Sequence, residues 1–192
     1  LSAFKEYPME IAEVASMSME LFTMNHWQAF FDNVHDLNRA QEHQLERTIT
    51  IFPWIAIIDK FQHWVYENPN HSIEERTQAW TTIAKEFSTN SIDYSGLDQY
   101  RAIGWQRQLH LFEVPFYYIE YGIAQLGAIG MWMQYQKNPT LALENYMNAL
   151  SLGGTKTLPE LYQTAGISFD FSSNYVKTLM DFTRDELEKL YQ

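Results

Sequence analysis

Apolar residues in this chain recur every three or four positions, and no run of them alternates in the manner of a half-buried strand, which restricts the fold to helices. The stretch from Pro8 to Leu21 shows the pattern best. Ile11, Val14, Ala15, Leu21 and Phe22 fall at helical spacing. Ala, Met, Leu and Glu fill most of what lies between, and these are good helix formers. Pro8 suits a first helical position, where its missing N–H costs nothing. No internal repeat is evident. The expectation is an all-α fold, one multi-helix domain over residues 1–192, with roughly eight helices packed around aromatic cores.

Composition excludes several classes of function. A formal net charge of -11 disfavours nucleic acid or an anionic membrane as partner, because both attract Lys and Arg. An aromatic content of 16% argues against disorder. The chain has no cysteine, so a disulfide framework, a thiolate metal site and a cysteine nucleophile are all excluded. Absence of cysteine fits a reducing, cytoplasmic setting. No segment reads as a signal peptide or lipidation site. The small-residue run Gly122 to Tyr135 is apolar, but Glu120, Gln125 and Gln134 make a membrane span unfavourable. Its glycines instead predict close approach of a neighbouring helix.

In chain order, Glu13 and Glu20 lie two turns apart on the first helix, beside its apolar face. A carboxylate there is costly unless it meets a cation, a metal or hydrogen-bond donors. His26 to Phe31 is aromatic and is expected to pack, with His26 structural for want of a ligand partner one turn away. A helix starting at Asp36 or Asn38 leads to Pro53, which is expected to kink it or start a new one. Asp59 and His63, one turn apart, read as a buried structural pair. Ser72 and Glu75 form a capping box for a helix reaching about Phe87. Residues 88–95 read as a loop. Thr140 is read as the cap of a helix ended by Gly153-Gly154, and Ser172 or Ser173 as the cap of the last helix.

A second constellation runs from Trp105 to Gly122. Pro115 is expected to separate a helix ending at His110 from one starting near Phe116. Tyr118 and Tyr121 are three apart and Tyr117 and Tyr121 four apart, so either pair can project from one face, with His110 on the loop just before them. A histidine and a tyrosine aimed at one point are suited to a developing oxyanion, where each preorganised donor contributes on the order of 10²- to 10³-fold in rate.

Two of these stretches carry a family resemblance. The run Glu13-Val-Ala-Ser-Met-Ser-Met-Glu20-Leu resembles the third-ligand helix of the oligoendopeptidase F and thimet oligopeptidase family of zinc metallopeptidases. His110-x-x-x-x-Pro115-Phe-Tyr117-Tyr118-x-x-Tyr121 resembles the substrate-binding stretch of oligoendopeptidase F, and the segments from Gly153-Gly154 onward resemble the family's C-terminal end. In the thimet branch a glycine-rich loop stands where this chain has Leu111 to Val114. The resemblance implies a helical, gluzincin-type metallopeptidase fold, with Glu13 as third zinc ligand. It implies His110 and Tyr121 as oxyanion and substrate contacts, and Tyr118 and Tyr117 as further substrate contacts. The two histidine ligands and the general base belong to a His-Glu-x-x-His helix that does not occur in these residues. The chain is therefore expected to be the C-terminal part of a larger peptidase acting on short peptides, binding zinc weakly and cleaving nothing by itself. Oligomeric state is left open. The rival reading is a non-catalytic helical peptide-binding module that uses Glu13 structurally. A diiron bundle would need Glu-x-x-His pairs on two helices, and there are none.

Overall fold

Helices occupy the segments that the periodicity marks, and each begins or ends where the local chemistry demands. The computed structural model describes residues 4–89 and 91–191. Among these are nine α-helices and no strand: α1 (Met9–Thr23), α2 (Val34–Glu67), α3 (Ile73–Glu86), α4 (Asp98–Ala102), α5 (His110–Glu113), α6 (Tyr118–Lys137), α7 (Pro139–Ser151), α8 (Leu158–Thr164) and α9 (Ser173–Lys189). Short 3-10 turns lie at Met24–Ala29, Gly104–Arg107 and Gly153–Thr155. The chain divides into two compact units, one made of residues up to Ile49 together with Ile123 onward, the other of Thr50–Gly122.

In the first unit, α6 is the buried element. Ala124, Ala128, Ile129, Met131 and Trp132 are all at most 1% exposed, so this part of the helix meets protein on nearly every side. Gly127 is where its neighbours come closest. A Cβ there would lie 2.8 Å from Val14 of α1 and 2.9 Å from the Tyr162 hydroxyl of α8. That hydroxyl donates to the Ile123 carbonyl at 3.1 Å. Phe22 stacks on Tyr135 with ring centres 4.5 Å apart, and Tyr146 donates to the Ala15 carbonyl at 3.1 Å, which ties α7 to α1. Gly153, at φ +54, turns the chain after α7 beside the backbone of Phe4, where a side chain has no room.

In the second unit, Ile57, Ile58 and Phe61 of α2 pack with Trp80 and Ile83 of α3. The Trp80 indole donates to the Arg101 carbonyl at 2.7 Å, fastening α3 to α4. The Ser72–Glu75 capping box forms as expected, with bonds of 3.1 and 2.8 Å.

Several boundaries differ from the sequence reading. α2 continues through Pro53, so no new helix starts there, and Pro53 has no N–H to donate to the Ile49 carbonyl. Asn138, rather than Thr140, caps α7, its side chain accepting from Leu141 N at 3.1 Å with Pro139 at the first turn. Residues 24–29 form a short 3-10 helix. The expected aromatic packing is met only in part: Met24 is buried and Trp27 and Phe31 are half-buried, while His26 is exposed and Phe30 is 80% exposed. Asp59 and His63 pair at 3.6 Å but not in the interior, the His63 side chain being 57% exposed. No helix among the described residues is long and apolar enough to cross a membrane.

Candidate active site

The two groups of candidate residues fall one in each unit. In the first unit Glu13 sits on α1, on the turn between the buried Ile11 and Val14, and is itself half-buried. The Ser16 hydroxyl donates to the Glu13 carbonyl at 3.1 Å and approaches its carboxylate at 3.4 Å. Glu20 is exposed and accepts from Gln44 at 2.9 Å, so it is solvated and paired within the protein surface.

In the second unit His110 begins α5 instead of ending a helix, and α6 starts at Tyr118, two residues later than expected. The reason lies between them. Phe116 takes a φ of +61°, a strained conformation for a bulky residue, and it is the only non-glycine residue with positive φ among those described. Its ring packs 5.0 Å from both His63 and Tyr66 of α2. These contacts hold the reversal that brings Tyr117, Tyr118 and Tyr121 around His110. Ring centres lie 5.9, 5.0 and 5.6 Å from the imidazole, in that order. Tyr121 also meets Tyr117 at 5.3 Å and Tyr118 at 5.2 Å. His110 Nε2 lies 3.2 Å from the Tyr121 hydroxyl. All four side chains are half-buried, which gives them a restricted geometry and leaves access to a ligand.

Two residues of this cluster escaped the sequence reading. Gln108 contacts His110 Nδ1 through its amide nitrogen at 2.7 Å, and accepts from the Trp54 indole at 3.2 Å. Gln108 lies two residues before His110, a spacing visible in the sequence. Trp54 is a tertiary neighbour with no sequence signal for it. The Arg107 guanidinium sits 5.1 Å from the Trp54 ring centre. Trp54 and Arg107 also line a cavity of about 410 Å³, with Trp80, Tyr94 and Arg101. Burial raises the Tyr118 hydroxyl above its ordinary pKa of 10.0, partly opposed by the Trp54 hydrogen bond and Arg107, so Tyr118 is a protonated donor at neutral pH.

Zinc, implied by the resemblance, takes three protein ligands and a water in hydrolytic sites. No three His, Cys, Asp or Glu side chains among the described residues converge in a metal-holding group. Glu13 offers a suitable oxygen donor, but these residues do not by themselves form a zinc centre.

Residues 2–181 match peptidase family M3. A PZ peptidase A, solved with an inhibitor, is 34% identical with a TM-score of 0.89, over 97% of this chain and 33% of that one. A protein described as an oligoendopeptidase F is 31% identical with a TM-score of 0.85, over 98% of this chain and 33% of that one. Another oligoendopeptidase F, from Bacillus anthracis str. Ames, is 30% identical with a TM-score of 0.76, over 97% and 30%. No curated protein matches the chain. The chain thus spans about a third of the length of the solved structures it matches. The helical architecture agrees with this match, which extends along nearly the whole sequence, and the chain belongs to peptidase family M3.

Proposed function

We propose that this chain is the C-terminal part of a cytoplasmic, zinc-dependent oligoendopeptidase that hydrolyses short peptides. Within it Glu13 is the third metal ligand, His110 and Tyr121 act on the oxyanion, and Tyr117 and Tyr118 contact the substrate. The two histidine ligands and the general base come from a His-Glu-x-x-His helix outside these residues. The observation that carries the reading is the hydrogen-bonded His110–Tyr121 pair at 3.2 Å, within a tyrosine cluster of a chain that belongs to a peptidase family.

A bound zinc supplies polarisation of the scissile carbonyl and a water acidified to a pKa of about 7. The chain's own residues do the rest. As the carbonyl carbon becomes tetrahedral, negative charge develops on its oxygen, and hydrogen-bond donors already fixed in place stabilise it without reorganising. The His110–Tyr121 pair is half-buried, so its field is less screened than in water. Tyr118, kept protonated, offers a further donor, and the tyrosine rings present apolar faces to peptide side chains.

The test has two parts. Sequencing the coding region upstream of Leu1 is expected to reveal His-Glu-x-x-His a couple of dozen residues before Glu13. The full-length protein is then expected to purify with zinc and cleave an internally quenched peptide, while Glu13→Gln lowers zinc content and the 192-residue chain alone cleaves nothing. A broken motif, or unchanged zinc in Glu13→Gln, overturns the reading in favour of the non-catalytic helical module.

A further inference from the structure

We propose that Gln108 is a positioning residue that fixes the tautomer of His110, and with it the direction of the His110–Tyr121 hydrogen bond. The consequence for catalysis rests on the peptidase reading; the tautomer itself does not.

Two of the groups in this chain of contacts can only donate. An indole N–H has no acceptor capacity. Trp54 Nε1 lies 3.2 Å from Gln108, so the Gln108 atom facing it is the amide oxygen. The NH₂ end of Gln108 then faces His110 Nδ1 at 2.7 Å. An amide nitrogen only donates, so Nδ1 must be the accepting, unprotonated nitrogen. A neutral imidazole in that state carries its proton on Nε2. His110 Nε2 lies 3.2 Å from the Tyr121 hydroxyl, and the bond therefore runs from imidazole to hydroxyl oxygen. The Tyr121 proton is directed away from the ring.

Trp54 is a suitable anchor for this chain of bonds. It is half-buried, packs edge-on against the buried Trp80 with ring centres 6.0 Å apart, and has Arg107 over its face. The roles of the pair are then unequal. Tyr121 is the group that donates to the oxyanion. His110 polarises Tyr121 from behind, as successive hydrogen bonds strengthen one another.

The experiment reads the tautomer directly. Long-range ¹H–¹⁵N correlation spectra of the ¹⁵N-labelled 192-residue chain are recorded above the ordinary imidazole pKa of about 6.5. Loss of one set of signals in His110→Gln assigns the residue. The wild-type ring is expected to show Nδ1 unprotonated and Nε2 protonated. Gln108→Glu places an acceptor-only carboxylate against Nδ1, and is expected to move the proton onto that nitrogen. Gln108→Leu removes the donor without adding charge and is expected to give a mixture of the two tautomers. The Leu variant keeps the test decisive if the Glu variant does not fold. A wild-type ring protonated on Nδ1, or a wild-type pattern that persists in the folded Glu or Leu variant, overturns the proposal. In the full-length protein Gln108→Leu is expected to lower kcat with KM little changed. Absence of cleavage by the wild-type enzyme with the tautomer as stated would sink the peptidase reading and leave the Gln108 assignment standing.

Discussion

Gly127 marks the tightest packing in the first unit, and its cost can be measured. A methyl group there would lie 2.8 Å from Val14 Cγ2 and 2.9 Å from the Tyr162 hydroxyl, which is itself held by the Ile123 carbonyl. Neither neighbour is the loose end of a flexible chain. Gly127→Ala is expected to destabilise the chain by about 1–3 kcal/mol in urea unfolding, because overpacking outweighs the better helix propensity of alanine. An unchanged midpoint would mean that α1 and α8 can retreat from α6. At this scale the sequence was informative where a role depends on near neighbours. The glycines of α6 read as a site of close approach, and the spacing let either Tyr117 or Tyr118 share a face with Tyr121, whose ring meets both. It was silent on Trp54, which reaches Gln108 across 54 residues of chain, because such a contact is set by how helices pack and not by spacing along one.

Among the elements, capping chemistry has a pH signature. The carboxyls of Glu75 and Glu160 are held below their ordinary value of 4.5, chiefly by the backbone N–H groups of Ser72 and Thr157 that they accept from in the capping boxes of α3 and α8. A depressed pKa in the folded chain means that the unfolded chain binds protons first. The caps therefore contribute fully above pH 4.5, and their contribution falls away as pH drops through the lower, folded values. A Glu75→Gln, Glu160→Gln variant, which keeps cap acceptors but does not titrate, is expected to show a shallower loss of Tm on acidification. Asn138→Ala tests a cap of a different kind, and is expected to cost about 1 kcal/mol by removing the acceptor for Leu141 N. Helix caps were largely legible, since Ser72 and Ser172 both serve as read. Thr140 was misread because Pro139 tolerates the first helical turn and moves the cap back to Asn138. Pro53 starts no new helix: the apolar residues after it, Ile55, Ile57 and Ile58 among them, are buried along the same continuous helix. The later start of α6 goes with the positive φ of Phe116, a strain that no local propensity announces.

At the scale of the whole molecule, the all-α architecture was readable throughout, because helical periodicity repeats in every segment and strand alternation in none. The candidate site was readable only in part. Glu13 belongs to the first unit and the His110 cluster to the second, and the chain spans about a third of the related structures. Under the proposed function the chain contributes catalytic groups to a site whose metal-binding histidines lie outside these residues. Steady-state cleavage of an internally quenched peptide by the full-length protein and its Tyr121→Phe variant measures that contribution most directly. If Tyr121 donates to the oxyanion, kcat falls on the order of 10²- to 10³-fold while KM and zinc content hold, since the donor acts on the transition state and not on substrate or metal. Unchanged kcat in the folded, zinc-loaded variant would contradict the account, and would assign the tyrosine cluster to packing alone.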